Sequence, residues 1–182
     1  MKAPLGLTFC DPNQVLKELT VKPGSVVADF GAGSGYFSFA FAQAVGNEGK
    51  VYALDVLPSA LEAIESRAKT LGVKNVTIQR VNLERENGSG LGMGMVDWVV
   101  MKDVLMQNEN KEVILREATR ILKSTGRVLI IEWDPKETSV GPERASRITP
   151  DSMRNLLEAT GLSVESEPNV GGYHYAFLVK KV

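Results

Sequence analysis

Three glycines within five residues separate an apolar stretch from an amphipathic one, in the segment VVADFGAGSGYFS at residues 26–38. Glycine lets a backbone approach a ligand closely, and the first turn of a following helix offers N–H groups that have no partner inside the helix. Asp29 precedes the first of these glycines by two residues, and its negative charge would repel a bound phosphate. The residue types therefore favour a cationic ligand that carries no phosphate.

The spacing of the three glycines, Gly31, Gly33 and Gly35, differs from that of a dinucleotide-binding loop. The dinucleotide fingerprint has glycine at its first, third and sixth positions. Here the third glycine comes at the fifth position and Tyr36 stands at the sixth, where a large side chain is unfavourable for a helix that has to approach a pyrophosphate. The spacing therefore disfavours an oxidoreductase of the NAD type.

A second acidic residue, Asp55, lies twenty residues beyond Gly35, at the end of the apolar stretch 50–55. A carboxylate at that place can accept hydrogen bonds from both hydroxyls of an adenosine ribose. In open parallel sheets, ligands bind beyond the carboxyl ends of the strands, where the strand order reverses. The glycine loop and Asp55 together predict a site for a nucleoside cofactor at that edge of a sheet.

Strand-like and helix-like stretches alternate along the chain, which predicts helices packed on a largely parallel sheet. The predicted strands are 25–30, 50–55, 75–81, 96–101, 127–133, 162–167 and 173–180. The predicted helices are 13–19, 36–45, 58–72, 110–123 and 150–161. A five-residue turn joins the last two strands, so they must be antiparallel, because a parallel return needs a longer crossover. We expect one α/β domain over residues 1–182, with a Rossmann-like, doubly wound, mostly parallel seven-stranded sheet and helices on both faces.

The composition excludes several classes of protein. The 182 residues include 21 basic and 22 acidic side chains, a balance that argues against a basic nucleic-acid-binding module. The chain has one cysteine and one histidine, which excludes a disulfide framework and metal sites built from several thiolates or imidazoles. No stretch resembles an export signal or a membrane span. We therefore expect a cytoplasmic protein that needs no metal, nucleic acid or membrane.

Taken in order, the motifs resemble those of class I methyltransferases that depend on S-adenosylmethionine. The resemblance covers nearly the whole chain, and its segments are DFGAGSG at 29–35, VYALDV at 51–56, VNL at 81–83, VDWVVMKD at 96–103 and EATRILKSTGRVLII at 117–131. The chain is most similar to small-molecule C- and O-methyltransferases related to ubiquinone and menaquinone biosynthesis, and residues 141–150 add to that similarity. The resemblance implies S-adenosylmethionine as cofactor and methyl transfer to a small-molecule acceptor, with alignment of the reactants supplying most of the catalysis.

The resemblance also implies roles for the residues of the glycine loop and its acidic neighbours. Asp29 would lie near the methionine amino group of the cofactor, and Asp55 would bind the ribose hydroxyls. The loop would line the methionine and the ribose with Gly31, Ala32, Gly33, Ser34, Gly35 and Tyr36. Tyr36 is either a wall of this site or a residue that packs the following helix.

Four more residues complete the cofactor site that the resemblance implies. Val56 would cover one face of the adenine, and Asn82 and Leu83 would meet the adenine edge. Lys102 would present its backbone near the sulfonium. Asn82 departs from the aspartate that many relatives carry, and its amide oxygen accepts a hydrogen bond without the help of a charge.

The acceptor side of the site is much less defined. His174 is either a general base or a hydrogen-bonded strand residue, and Asp103 is either a polar group of the active site or a cap. Arg147 either binds an anionic acceptor or is solvated or salt-bridged, and Cys10 is a weak candidate for a catalytic thiol. Few residues remain to cover an acceptor, so we expect a pocket that is partly open or completed by a second subunit of a homo-oligomer.

A denser glycine cluster, ENGSGLGMGM at 86–95, has neither a strand before it nor a helix after it, which predicts a flexible surface loop and no site. No Asn-Pro-Pro-Tyr-type tetrad follows the strand 96–101, which weighs against methylation of the exocyclic amines of nucleic-acid bases. The alternative from another class of function is a protein that binds S-adenosylmethionine as a regulator or structural partner, without turnover.

Overall fold

The computed structural model describes residues 10–136 and 139–182, and these form a seven-stranded sheet with helices on both faces. The strands are β1 Val26–Phe30, β2 Lys50–Asp55, β3 Val76–Arg80, β4 Val96–Lys102, β5 Leu122–Trp133, β6 Leu162–Ser166 and β7 His174–Lys181. The helices are α1 Pro12–Lys17, α2 Tyr36–Val45, α3 Pro58–Leu71, α4 Lys111–Ile121 and α5 Pro150–Ala159. The expected single domain also includes residues 1–9, which lie outside the described residues.

The strand order is β3-β2-β1-β4-β5-β7-β6. The strands β1 to β5 run parallel to one another, whereas β7 is antiparallel to both β5 and β6. The predicted fold class is therefore confirmed. The order reverses between β1 and β4, so the carboxyl ends of these two strands border the crevice in which ligands of such sheets bind.

The strands read as continuous apolar runs because helices cover both faces of the sheet. Successive residues of β1 point to opposite faces: Val27 packs in the core with α1 and α2, and Ala28 packs in the core with α4 and α5. The helix α3 adds a smaller cluster around the fully buried Ile64. No helix in the described parts of the chain combines the length and the apolar character that crossing a membrane requires.

The end of α4 differs from the prediction, which continued the helix to residue 123 and began the strand at 127. The helix ends at Ile121, and Leu122 already has extended backbone angles. Leu122 is fully buried and pairs with Val96, so the chain leaves the helix where this side chain fills the core.

The segment 86–95 is a loop, as predicted, but its middle is not a surface loop. Ser89 and Leu91 are buried. The Ser89 N–H donates to Glu117 Oε1 at 3.0 Å, and the Ser89 hydroxyl donates to the same oxygen. Arg120 donates to the Leu91 carbonyl at 2.7 Å and also to Glu117. The glycine-rich composition gave no signal of this anchor, because its partners lie on α4.

Candidate functional site

The glycine loop turns the chain sharply from β1 into α2. Gly31, Gly33 and Gly35 have φ values of +66°, +52° and +79°, in the left-handed region that favours glycine. At Gly35 a Cβ atom would lie 2.9 Å from the ring of Phe39, so the loop needs glycine there for close packing. At Gly33 the nearest atom to such a Cβ would be 4.0 Å away, which leaves open space beside the backbone.

Asp55 is joined directly to this loop. The Gly33 N–H donates to Asp55 Oδ2 at 2.8 Å, and the Leu57 N–H donates to Asp55 Oδ1 at 2.9 Å. A carboxylate has about four acceptor positions, so each oxygen keeps one for a further donor. The loop and the carboxylate that the sequence analysis paired across twenty residues therefore form one unit, held at the ends of β1 and β2.

Asp29 lies behind the loop with only 3% of its surface exposed. Burial raises the pKa of this carboxyl to about 7, against the effect of hydrogen bonds from Ser38, and the Asp55 charge raises it further. The Ser38 hydroxyl donates to Asp29 Oδ2 at 2.5 Å. The sequence analysis missed Ser38, although a hydroxyl in the first turn of an otherwise apolar helix was a usable signal. Among the described residues no cationic side chain lowers the pKa of Asp29, so a cationic ligand group would stabilise its charged form.

A cavity of about 430 Å³ lies between the glycine loop and the ends of β4, β5 and β7. Seven of the predicted cofactor residues line it: Asp29, Gly31, Ala32, Gly33, Ser34, Tyr36 and Lys102. Cys10 and His174 line it as well, together with Pro12, Phe37 and Trp133, which the sequence analysis did not identify. An aromatic residue at the end of β5 was the available signal for Trp133.

The residues predicted to meet the adenine lie beyond this cavity. Val56 is 51% exposed and Leu57 is 58% exposed, and both stand next to Asp55 on the surface. The Asn82 side chain is exposed, and its Oδ1 accepts the Glu84 N–H at 3.0 Å. Leu83 is buried in the core. This half of the site is therefore a shallow surface, in contrast to the enclosed half at the glycine loop.

The opposite wall of the cavity carries His174, and Asp103 lies behind it in contact with the imidazole. Nε2 of His174 is 3.3 Å from Asp103 Oδ1, which is ion-pair range, but the two groups are not aligned as a hydrogen bond. The Lys102 ammonium pairs with the other oxygen of Asp103. Burial alone would raise the pKa of Asp103, and the contacts with His174 and Lys102 outweigh it, so that the pKa is lowered. The imidazole also lies against Trp133, with ring centroids 4.3 Å apart.

Glu132 of β5 is fully buried beside this pair and was not singled out from the sequence. Its Oε1 accepts the Leu105 N–H at 2.8 Å, which holds the segment that follows β4. Burial raises the pKa of Glu132 to about 7, and the neighbouring Asp103 charge acts in the same direction. The signal in the sequence was a lone acidic residue inside the apolar run of a central strand.

The surroundings of Arg147 and Cys10 do not favour the chemistry considered for them. The Arg147 guanidinium is buried and donates at 2.8 Å to each of the carbonyls of Asp134, Val140 and Pro142, so it fastens the loop after β5. Burial raises the pKa of the Cys10 thiol to about 11, with nearby Lys102 acting in the opposite direction, so the thiol is protonated at neutral pH.

Tyr36 fits both interpretations left open for it. It lines the cavity, yet 64% of its surface is exposed and its ring lies 5.2 Å from the Arg67 guanidinium. No group of three or more histidine, cysteine, aspartate or glutamate side chains within residues 10–136 and 139–182 is arranged to hold a metal ion.

Comparison with known proteins adds three findings. A family model described as a methyltransferase domain matches residues 21–162. A ubiquinone/menaquinone biosynthesis C-methyltransferase from Haemophilus ducreyi is 31% identical over 115 residues, which cover 62% of this chain and 43% of that protein. A demethylmenaquinone methyltransferase from Bacillus mycoides is 30% identical over 122 residues, which cover 65% of this chain and 49% of that protein. The chain thus spans less than half the length of these curated relatives.

A solved structure agrees over almost the full chain. The crystal structure of a S-adenosylmethionine-dependent methyltransferase from Aquifex aeolicus superposes with a TM-score of 0.88 and 28% sequence identity. The match covers 96% of this chain and 91% of that one. The two chains therefore share one fold over almost their full length.

Proposed function

This chain belongs to the methyltransferase domain family, and we propose that it transfers a methyl group from S-adenosylmethionine to a small-molecule acceptor. The observation that carries the proposal is the 2.8 Å hydrogen bond from the Gly33 N–H to Asp55, beside a cavity that holds the buried Asp29. The arrangement therefore combines a glycine loop that does not suit a phosphate with two carboxylates, one of which suits a cation and the other hydrogen-bond donors.

The residues present fit the cofactor group by group. The Asp29 carboxylate suits an ammonium, because no positive side chain within residues 10–136 and 139–182 neutralises it. The remaining acceptor positions of Asp55 suit the two ribose hydroxyls. The exposed side chains of Val56 and Leu57 offer an apolar surface for a flat base, with Asn82 and Leu83 following β3. The cofactor is S-adenosylmethionine, which supplies a methyl group on a positively charged sulfur that departs as a neutral thioether.

The chain itself contributes position and exclusion of water. The glycine loop brings backbone atoms of Gly31, Ala32 and Ser34 to the cavity wall, and Lys102 borders the same space from the end of β4. Trp133 and Phe37 make part of the wall apolar. Holding two reactants in line converts a bimolecular step into an effectively unimolecular one, which is the largest contribution that such a site can make.

The remaining expectations about the protein extend this proposal. The chain works as a single domain over residues 1–182, in the cytoplasm, on a small molecule and not on nucleic acid. The formal charge of -1 supports a partner other than nucleic acid, whose binding depends on neutralised phosphates. The acceptor side of the pocket is either partly open or completed by a second copy of the chain in a homo-oligomer, and light scattering with and without cofactor would decide between the two.

Calorimetric titration tests the cofactor assignment with a matched pair of variants. Gly33 and Gly90 both have positive φ values, +52° and +68°, and open space where a Cβ would be added. Alanine at either position costs similar backbone strain, about 1–2 kcal/mol. We expect Gly33→Ala to weaken S-adenosylmethionine binding at least about tenfold and Gly90→Ala to leave it unchanged, since only Gly33 lines the cavity.

The same titrations decide between the alternatives. Tighter binding of NAD than of S-adenosylmethionine or S-adenosylhomocysteine by the wild-type chain would overturn the proposal. Equal weakening in the two alanine variants would show that the glycine loop is not where the cofactor binds. Turnover with a panel of small acceptors then separates an enzyme from a protein that binds the cofactor without reaction.

A further inference from the structure

The cofactor assignment leaves one group of buried side chains on the cavity side unused. Three elements bring it together: Asp103 follows β4, Glu132 lies near the end of β5, and His174 begins β7. Because β7 is antiparallel to β5, His174 pairs with Trp133 at the same edge of the sheet as the glycine loop. The imidazole is the only one in the chain, and its side chain is 1% exposed.

Several polar atoms of this group are buried without a hydrogen-bond partner. Among the described residues they are Nδ1 and Nε2 of His174, Oδ1 of Asp103 and Oε2 of Glu132. Burying a polar atom without a partner is unfavourable, so native proteins retain such atoms rarely and mainly where function uses them. His174 lines the cavity, so a ligand bound there is the available partner for its ring.

The backbone at Asp103 supports the same interpretation. Asp103 has a φ of +58°, one of two non-glycine residues among those described with a positive value. Residues held in this region tend to occur at active sites, where the surrounding structure fixes them for a purpose. Here the turn brings the Asp103 carboxylate to Nε2 of His174 and to the Lys102 ammonium at once.

We infer that His174 is the general base of the reaction, with Asp103 as its positioning residue, and that the acceptor is a hydroxyl compound methylated on oxygen. The inference rests on the proposed function. Asp103 beside Nε2 favours a proton on that nitrogen, which leaves the lone pair of Nδ1 to accept a proton from the acceptor. As the acceptor oxygen–methyl bond forms and the sulfur–methyl bond breaks, the hydroxyl proton moves to Nδ1 and a neutral thioether leaves.

A hydroxyl acceptor requires such a base, because an alcohol or phenol oxygen that keeps its proton is a weak nucleophile and would yield a charged oxonium product. Proton transfer by a positioned side chain typically contributes 10²–10⁴-fold in rate. Lys102 pairs with Asp103 and keeps that carboxylate ionised, so its charge remains available to the imidazolium that forms.

Other titratable groups surround the imidazole, and a pH profile alone would not identify it. They are Lys102 at the end of β4 and Asp103 after it, Glu132 on β5, Tyr173 before β7 and Tyr175 on it, Asp29 on β1, and Cys10 before α1. The pKa values of Glu132 and Asp29 are both raised to about 7, so these carboxyls titrate in the same range as an imidazole. A spectroscopic readout specific to His174 is therefore needed.

Nitrogen NMR of protein labelled in histidine supplies that readout, since one histidine produces one pair of imidazole signals. The spectrum is recorded with S-adenosylhomocysteine bound, at a pH high enough for the ring to be neutral. We expect Nε2 to carry the proton and Nδ1 to carry none. Asp103→Asn should shift the population towards the Nδ1–H form, because an amide can donate to Nε2. Asparagine also tolerates a positive φ, so this variant should fold. A wild-type Nδ1–H form, or no change in the variant, would overturn the inference.

Kinetics with a probe panel tests the acceptor class. The probes are phenol, catechol and benzyl alcohol, with aniline and thiophenol as non-hydroxyl analogues. We expect methylation of hydroxyl probes, with kcat reduced about 10²–10⁴-fold in His174→Gln and Asp103→Asn and with cofactor affinity kept. Tyr175→Phe is the matched control on β7, because its hydroxyl donates to the Ile148 carbonyl at 3.0 Å and does not line the cavity.

Each outcome has a separate meaning. Methylation of aniline or thiophenol in preference to the hydroxyl probes would overturn the acceptor class. An unchanged kcat in His174→Gln would overturn the role of the base. If no probe reacts, the NMR result decides the inference by itself. Failure of the wild-type chain to bind S-adenosylmethionine would instead contradict the proposed function, and calorimetry shows that independently.

Discussion

Two buried polar clusters in this molecule differ in how completely their atoms are paired. Around Glu117, both carboxylate oxygens accept hydrogen bonds, from Ser89 on one side and Arg120 on the other. Around His174, by contrast, four atoms of His174, Asp103 and Glu132 are buried with no hydrogen-bond partner among the described residues. Burial is therefore not what distinguishes the Glu117 cluster from the cluster to which we assign a catalytic role. The pairing of the buried atoms separates them.

The two buried glutamates show the consequence in their protonation. Burial would raise the pKa of Glu117, but hydrogen bonds from Arg120 and Ser89 outweigh it and lower the pKa. Burial raises the pKa of Glu132 to about 7, because its hydrogen bonds come from neutral backbone N–H groups and its charged neighbour Asp103 has the same sign. One residue type thus supports the fold when it is paired with a cation and titrates near neutral pH when it is not.

The largest effect is expected where unpaired acceptor positions face the proposed cofactor. Asp55→Ala should remove the hydrogen bonds to both ribose hydroxyls, each worth about 1.5–3 kcal/mol with a charged acceptor. We expect the Kd for S-adenosylmethionine to rise at least tenfold, as measured by calorimetry.

Asp97→Ala is the matched control for this variant. Asp97 also accepts a hydrogen bond from a backbone N–H, that of Val26 at 2.9 Å. It lies at the start of β4, at the edge of the sheet opposite to the cavity. Its replacement should lower stability and leave cofactor affinity unchanged. Cofactor binding that survives Asp55→Ala intact would remove Asp55 from the site.

The second largest effect is expected on stability, at the cluster around Glu117. Glu117→Ala leaves Ser89 and the partly buried Arg120 without their acceptor, so we expect the free energy of unfolding to fall by about 2–3 kcal/mol. Denaturant unfolding measures this change. Glu112→Ala breaks an exposed pair with Arg116 on the same helix and should cost less than about 0.5 kcal/mol.

Cofactor affinity distinguishes the two roles in the same variants. Because the Glu117 cluster anchors the loop before β4 and does not line the cavity, the Glu117→Ala protein should bind S-adenosylmethionine normally once it is folded. A loss of affinity as large as that of Asp55→Ala would erase the contrast between the clusters.

The smallest effect is a pH dependence of stability from the poorly paired carboxyls. In the folded chain burial raises the pKa values of Glu132 and Asp29 to about 7, above the ordinary values of 4.5 and 3.8 for these side chains. The folded state therefore holds more protons between about pH 4 and 7, so the free energy of unfolding falls as the pH rises through that window. The slope is at most about 1.4 kcal/mol per pH unit for each group.

Two neutral variants isolate these contributions. Glu132→Gln and Asp29→Asn should each flatten the decline between pH 4 and 7, measured by chemical denaturation at several pH values. Glu117 acts in the opposite direction, because its lowered pKa makes its contribution to stability disappear as the pH falls. A wild-type profile that rises from pH 4 to 7 with no change in Glu132→Gln would show that this carboxyl is ionised in the folded chain.

Local patterns in the sequence were sufficient for the first half of the site. The glycine loop follows β1, Asp29 is the second-last residue of β1, and Asp55 is the last residue of β2. Parallel strands place their carboxyl ends at one edge of the sheet, so the sequence could predict that these residues lie close together. A strand, a tight turn and a helix are encoded by neighbouring residues, so the 2.8 Å contact between Gly33 and Asp55 needed only two adjacent strands to be in register.

The two buried polar clusters depend on contacts that no local pattern encodes. Ser89 meets Glu117 across 28 positions of the chain, and the glycine-rich composition around Ser89 predicted a flexible loop. Glu132 and Asp103 approach His174 only because β7 inserts between β5 and β6. The sequence indicated that the last two strands pair antiparallel, but not which of them lies beside β5.

By itself, the sequence of this protein determined the alternation of strands and helices, the turn that the glycines make and the carboxylate that faces them. Each of these depends on residues close in the chain or on the shared edge of parallel strands. Only the tertiary structure decided which buried polar atoms find partners, because pairing depends on strand order and on side chains far apart in sequence. In the folded chain Glu117 pairs with Arg120, whereas His174 lines the cavity.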